Sequence, residues 1–178
     1  MKSQNIARKP EQLPRASTPK APREGQRRIA VKKILAPTDF SPASEKALKY
    51  AMRFAEEFGA QLILLHVIEP AISATLAGEP AEPEFFEAEM ASANESLCGL
   101  LESVRTAGVC DAKPTIRVGA AANQIVEAAR DLDVDLIVIA THGFASWKHF
   151  TIGSTAEHVA RAAPCPVVVV REKEHDFL

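Results

Sequence analysis

Apolar residues along this chain fall into two alternating rhythms. Short uninterrupted runs, such as Leu62-Ile63-Leu64-Leu65, Leu136-Ile137-Val138-Ile139 and Val167-Val168-Val169-Val170, are separated by stretches where apolar positions recur every three or four residues. An uninterrupted run reads as a strand buried on both faces, as parallel sheets require, whereas the three-and-four spacing marks a helix with one apolar face. Strands are predicted over Ile29–Ala36, Gln61–Val67, Asp135–Ala140 and Cys165–Arg171, with a short one over Lys113–Val118 that ends at Gly119. The spacing predicts a helix from Pro42 to about Phe58, carrying Ala47, Leu48, Ala51, Phe54, Ala55 and Phe58 inward. Ser41 before Pro42 gives it a hydroxyl N-cap and a first-turn proline, and Gly59 stops it. After a loop at residues 71–83, a long helix places Phe86, Met90, Ala93, Leu97, Leu100, Leu101 and Val104 on its inner face. Shorter helices follow over Asn123–Asp131 and from Thr155 to Pro164. Strand and helix alternate throughout, which predicts an α/β fold: a parallel open sheet with right-handed crossovers and helices on both faces.

Length and charge refine this picture. The 178 residues, 47% of them hydrophobic, suit one domain, expected over residues 29–173 between a tail at 1–28 and a short one at 174–178. The net charge of −2 conceals an asymmetry, because residues 1–28 hold eight Lys or Arg against two Glu, leaving the remainder at −8. That first segment carries Pro10, Pro14, Pro19 and Pro22 and no apolar core for a secretory signal. It reads as a solvated basic tail whose contact with nucleic acid, if any, is nonspecific. No apolar run is long enough to span a bilayer, so no membrane role is expected. Cys98, Cys110 and Cys165 form no C-x-x-C pair and read as buried free thiols of a reducing compartment.

The candidate chemistry lies at Ala140-Thr141-His142-Gly143, followed after nine residues by Gly153-Ser154-Thr155. A buried strand thus runs into a glycine-punctuated loop and then a helix N-terminus, whose first N–H groups lack intrahelical partners and suit an anion. His142 sits where it can contact a phosphate. Against this, Ser154 and Glu157 have the spacing of a capping box, which would satisfy the same N–H groups. Asp39, after the first strand, can accept hydrogen bonds from ribose hydroxyls or cap the following helix. His66 reads as a core histidine. Within the nine-residue loop, Phe150 and Ile152 are expected to anchor it to the core, with Trp147 and Lys148 left open.

These segments resemble the universal stress protein family. Its nucleotide-binding members carry Gly, two residues, Gly, nine residues, Gly, then Ser or Thr. Gly143, Gly153 and Ser154 match, and Ala140 stands at the first glycine. Lys33-Ile34-Leu35-Ala36-Pro37-Thr38-Asp39-Phe40-Ser41 is similar to the family's first strand and loop, Leu64-Leu65-His66-Val67-Ile68 to its second strand, and Ala163-Pro164-Cys165-Pro166-Val167 to its closing one. The resemblance covers about residues 30 to 171. It implies five strands in the order 3-2-1-4-5, a Rossmann-like sheet of the adenine nucleotide alpha hydrolase type. The order reverses between strands one and four, where ligands of such sheets bind. It further implies ATP or a related adenine nucleotide, with Mg²⁺, held by Pro37, Thr38, Asp39, Val67, Ala140, His142, Gly143, Gly153, Ser154 and Thr155, with the Val67 backbone at the adenine edge. A cytoplasmic regulatory homodimer joined through Val167–Val170, acting on an unidentified protein partner and lacking catalytic residues, completes the expectation. The alternatives are a member that binds no nucleotide and works through protein contacts, and an ATP-using enzyme on the same fold.

Overall fold

A computed structural model describes residues 30–69, 83–143 and 152–171. The expected tails and most of the loops at 71–83 and 144–152, with Trp147, Lys148 and Phe150, lie outside these residues. Five strands form one sheet: β1 (Lys33–Thr38), β2 (Gln61–Ile68), β3 (Ala112–Val118), β4 (Leu136–Ala140) and β5 (Val167–Val170). Four described helices connect them: α1 (Pro42–Phe58), α2 (Pro83–Thr106), α3 (Ala121–Asp131) and α4 (Ser154–Ala162). All pairings are parallel and the order is β3-β2-β1-β4-β5, as the alternation and the family resemblance foretell.

The strands divide two cores. On one face, Ala47, Tyr50, Ala51, Leu97 and Val104 of α1 and α2 pack on Ile34, Leu62, Leu64 and Val138. On the other, Ile125, Ala128, Ala129, Ala156 and Val159 of α3 and α4 cover Leu35, Ile63, Leu65 and Ile137. Small side chains dominate the helix faces over β1 and β4, letting the helices sit close to the sheet. Ser41 caps α1 as expected, its Oγ accepting the Ser44 N–H at 3.2 Å, and Gly59 ends the helix at φ 64°.

Boundaries differ from expectation where specific side chains intervene. β1 begins at Lys33, opposite the first residue of β2, and runs on to Thr38, opposite His66. β4 starts after Asp135, because that carboxylate accepts the N–H groups of Lys32 and Lys33 at 2.7 and 3.0 Å. β5 is shorter than expected, omitting Cys165, Pro166 and Arg171. The inward face predicted for α2 holds from Ala93 onward, but Phe86 is 38% exposed. Its first turns flank Phe40 and His66 at the strand ends, where the core runs out. The cysteines also depart from expectation: Cys98 and Cys110 are exposed. Cys165 is half-buried, and burial, followed by the nearby Asp135 charge, raises its pKa above the ordinary thiol value.

One residue opens the sheet. Gln61 donates its N–H to the Lys32 carbonyl, so by alternation Lys33, Leu35 and Pro37 turn their backbone groups toward β4. Pro37 has no N–H to give, and the pairing of β1 with β4 stops at Leu35 with Ile137. Beyond that point a crevice opens between the strand ends, at the place where the strand order reverses.

Candidate functional site

The first wall of this crevice is the loop after β1. Phe40 adopts φ 63°, a left-handed conformation that costs a bulky residue roughly 1–2 kcal/mol. Three contacts hold it there. Its N–H donates to Thr38 Oγ1 at 3.0 Å, its ring lies 4.6 Å from that of His66, and His66 Nδ1 stands 2.9 Å from the Thr38 carbonyl. His66 is therefore a satisfied, half-buried histidine, as its sequence position suggests. The turn at Phe40 also fixes Asp39, whose Oδ1 accepts from the Ser41 N–H at 3.1 Å and from the Ser41 hydroxyl at 2.6 Å. The capping alternative for Asp39 is thus met indirectly: Asp39 orients Ser41, and Ser41 caps α1.

The same turn alters β2. Odd-numbered residues of β2 face β1, so the next β1 N–H in line for the Val67 carbonyl is that of Phe40. That N–H is spent on Thr38 Oγ1 instead. The Val67 carbonyl consequently points past the end of β1 into the crevice.

The opposite wall is built from β4 and the start of α4. Ala140 is an ordinary strand residue paired with Val170, and the described non-glycine residues with positive φ are Phe40 and Asp133 alone. The alanine at the family's first glycine position therefore carries no backbone strain. Gly143 and Gly153 are required for space rather than for φ. A Cβ at Gly143 would enter the van der Waals radius of Asp39 Oδ2, and one at Gly153 would stand 2.8 Å from the Thr141 carbonyl oxygen. The Gly153 N–H donates to that same oxygen at 2.8 Å, binding the helix start to the strand end.

The expected capping box is not formed. Gly153 occupies the N-cap, where no side chain caps the helix, and Ser154 is the first helical residue. One position of displacement moves Glu157 beyond reach of its capping role; its carboxylate instead takes Arg161 Nη2 at 2.5 Å. Among the described residues no side chain caps the first turn of α4, whose residues Ser154, Thr155 and Ala156 line the crevice. Beside them, His142 Nε2 is buried with no hydrogen-bond partner among the described residues. The loop anchor expected at Ile152 is also absent, since Ile152 is 45% exposed.

Together these walls enclose about 360 Å³. All ten residues singled out from the sequence line this volume: Pro37, Thr38, Asp39, Val67, Ala140, His142, Gly143, Gly153, Ser154 and Thr155. Thr141 of the glycine motif lines it too, as do Glu69, Ala121, Ile125 and Ile139, which the sequence pattern does not mark as site residues. Ile125 and Ile139 carry the signature of core residues, and their apolar side chains form a slot between the polar ends. Glu69 could have been found by its place two residues beyond Val67, at the carboxyl end of a central strand.

The family model described as the universal stress protein family matches residues 30–171. The chain belongs to the universal stress protein family. It is 32% identical over 159 residues to a universal stress protein of Methanocaldococcus jannaschii, a match covering 82% of this chain and 98% of the relative. Among solved structures, the universal stress protein UspA of Lactobacillus plantarum is similar with a TM-score of 0.69 at 29% identity, covering 81% of this chain and 100% of that one. A universal stress protein solved in complex with cAMP shares the fold at TM-score 0.64 and 22% identity, covering 82% and 100% of the two chains. In this universal stress protein, the family's glycine motif thus falls on the crevice at the switch point. No described helix is long and apolar enough to cross a membrane. Among the described residues no group of three or more His, Cys, Asp or Glu could hold a metal ion.

Proposed function

We propose that this universal stress protein binds ATP or a related adenine nucleotide in the crevice and acts as a cytoplasmic regulatory homodimer in the stress response. The observation that carries the reading is the N-terminus of α4, with Gly153 as a bare cap, beside a His142 Nε2 that has no hydrogen-bond partner among the described residues. A phosphate satisfies both the N–H groups and, with a proton on that nitrogen, the imidazole. Leu65, Ile125 and Ile139 suit an apolar base, the Val67 carbonyl suits its amine, and Asp39 suits ribose hydroxyls. The cAMP held by the distant relative accords with this choice of ligand.

Binding rather than catalysis is proposed because neither His66 nor His142 hydrogen-bonds a hydroxyl or thiol among the described residues. The dimer is proposed on β5, an edge strand. Pro166 and Val170 accept from Ile137 of β4 and from Thr141 just after it, so Val167 and Val169 turn their backbone groups outward, ready for a second copy.

A second reading, action through protein contacts without nucleotide, is favoured by one feature. Asp39 and Glu69 line the crevice, while no described lining residue is Lys or Arg. Thermal melts separate the two. Mg-ATP at about a hundred times its dissociation constant adds roughly 2.7 kcal/mol, worth about 5–10 °C for a domain of this size. A melting temperature unchanged at millimolar Mg-ATP selects the second reading.

A further inference from the structure

Two helix N-termini open onto the crevice, and one is already filled. Ala121, the first residue of α3, donates its N–H to Glu69 Oε1 at 2.6 Å, and Ala120 before it supplies no side-chain cap. Glu69 thus puts a carboxylate where an anionic ligand group would otherwise meet the first turn of α3. At α4 no side chain caps the first turn, and the nearby Glu157 pairs within the helix with Arg161. Glu69, Ala121, Gly153 and Ser154 all line the same crevice.

This asymmetry gives the crevice a direction. β1 stands between β2 and β4, so at a strand spacing of about 4.8 Å the two ends of the crevice lie roughly 10 Å apart. The β2 end offers acceptors: the Val67 carbonyl, and Glu69 Oε2, which has no hydrogen-bond partner among the described residues. The α4 end offers donors. Leu65, Ile125 and Ile139 lie between.

We infer that Glu69 is an orienting and specificity-determining residue of the crevice: it denies the α3 terminus to phosphate and selects a base edge that donates a hydrogen bond. A purine with an exocyclic amine meets two acceptors there. A purine with a carbonyl at the same position sets oxygen against oxygen, leaving acceptors on both sides without a proton between them. The inference rests on the nucleotide reading above and names the residue that decides which nucleotide.

The test is isothermal titration of the full-length protein, in magnesium buffer, with ATP, inosine triphosphate and purine riboside triphosphate, which lacks the amine. Wild-type protein is expected to bind ATP about tenfold or more tighter than the inosine compound, with the purine riboside between them. Glu69→Gln keeps an oxygen for the Ala121 N–H and turns an amide NH₂ toward the ligand. It is expected to erase or reverse the preference for ATP over inosine triphosphate. An unchanged ratio in this variant, with ATP still bound, overturns the inference alone. So does equal affinity of the wild type for ATP and inosine triphosphate, an outcome independent of how the variant folds. Wild-type protein that binds no ATP overturns the nucleotide reading and this inference with it.

Discussion

Replacing Gly143 by alanine tests the contact on which the crevice wall depends. The added methyl falls on Asp39 Oδ2, so the carboxylate must rotate away. Rotation surrenders the two Ser41 donors now held by Oδ1, at 3.1 and 2.6 Å. Hydrogen bonds to charged groups contribute about 1.5–3 kcal/mol each, but this loop is partly wet and water replaces much of the loss. A net destabilisation of about 1–3 kcal/mol follows, which for a domain of this size lowers the melting temperature by roughly 3–10 °C. Removing the obstacle should rescue the variant. Asp39→Ala alone loses the Ser41 bonds, yet in the Gly143→Ala background it also removes the clash. The double variant should therefore be more stable than the sum of the single losses by about 1 kcal/mol or more, read from urea unfolding of all four proteins. ATP affinity should fall in each single variant, since both displace the same carboxylate. Strictly additive losses would refute the claim that Gly143 is a glycine because Asp39 needs the room.

Three further outcomes are expected. Val169→Pro removes a backbone donor that points away from β4, so it should spare the sheet and convert a dimer to monomer in sedimentation velocity; a folded variant that still dimerises places the interface elsewhere. Glu157→Ala breaks an exposed pair with Arg161 rather than a capping box, and should cost under about 0.5 kcal/mol; a loss near 1–2 kcal/mol would reinstate the capping role. Deletion of residues 1–28 should leave the melting temperature unchanged and abolish any salt-sensitive affinity for nucleic acid, whereas a fall of several degrees would show that the tail packs on the domain.

The central strands β2 and β4 were legible because each carries an uninterrupted apolar run, buried throughout in β4 and over Leu62–Leu65 in β2, and the glycine spacing located the crevice because close approach needs it. What escaped the sequence was set by tertiary contact. Ser154 and Glu157 have the spacing of a capping box, but the Gly153 N–H is tied to the Thr141 carbonyl, and with Gly153 at the N-cap the helix starts one residue earlier than local preference would place it. Phe86 and Ile152 fit an inward pattern, yet the core ends before it reaches them. Pro37 reads locally as the end of a strand; in the sheet it ends only one of two ladders, since β2 continues to pair with Thr38. Glu69 belongs to no motif, and its place at the crevice comes from α3 returning its first turn to the end of β2.

Several of the local rules this chain breaks are broken in one place. A proline sits in a central strand, a phenylalanine adopts a left-handed backbone, a helix begins without a side-chain cap, and a buried imidazole nitrogen lacks a partner among the described residues. Each departure costs stability on its own account, by about 1–3 kcal/mol for strained or unsatisfied groups. They are also mutually dependent. Pro37 parts β1 from β4, the Phe40 turn diverts the N–H that would otherwise meet the Val67 carbonyl, and the bare Gly153 cap leaves donors facing the same gap. A fold selected for stability alone would pair these groups with one another. Here they are held apart around one volume, acceptors at the β2 end and donors at the α4 end, with an apolar slot between. That division matches a molecule with an amine at one end and an anion at the other, and a ligand that meets both ends offsets the cost of keeping them open.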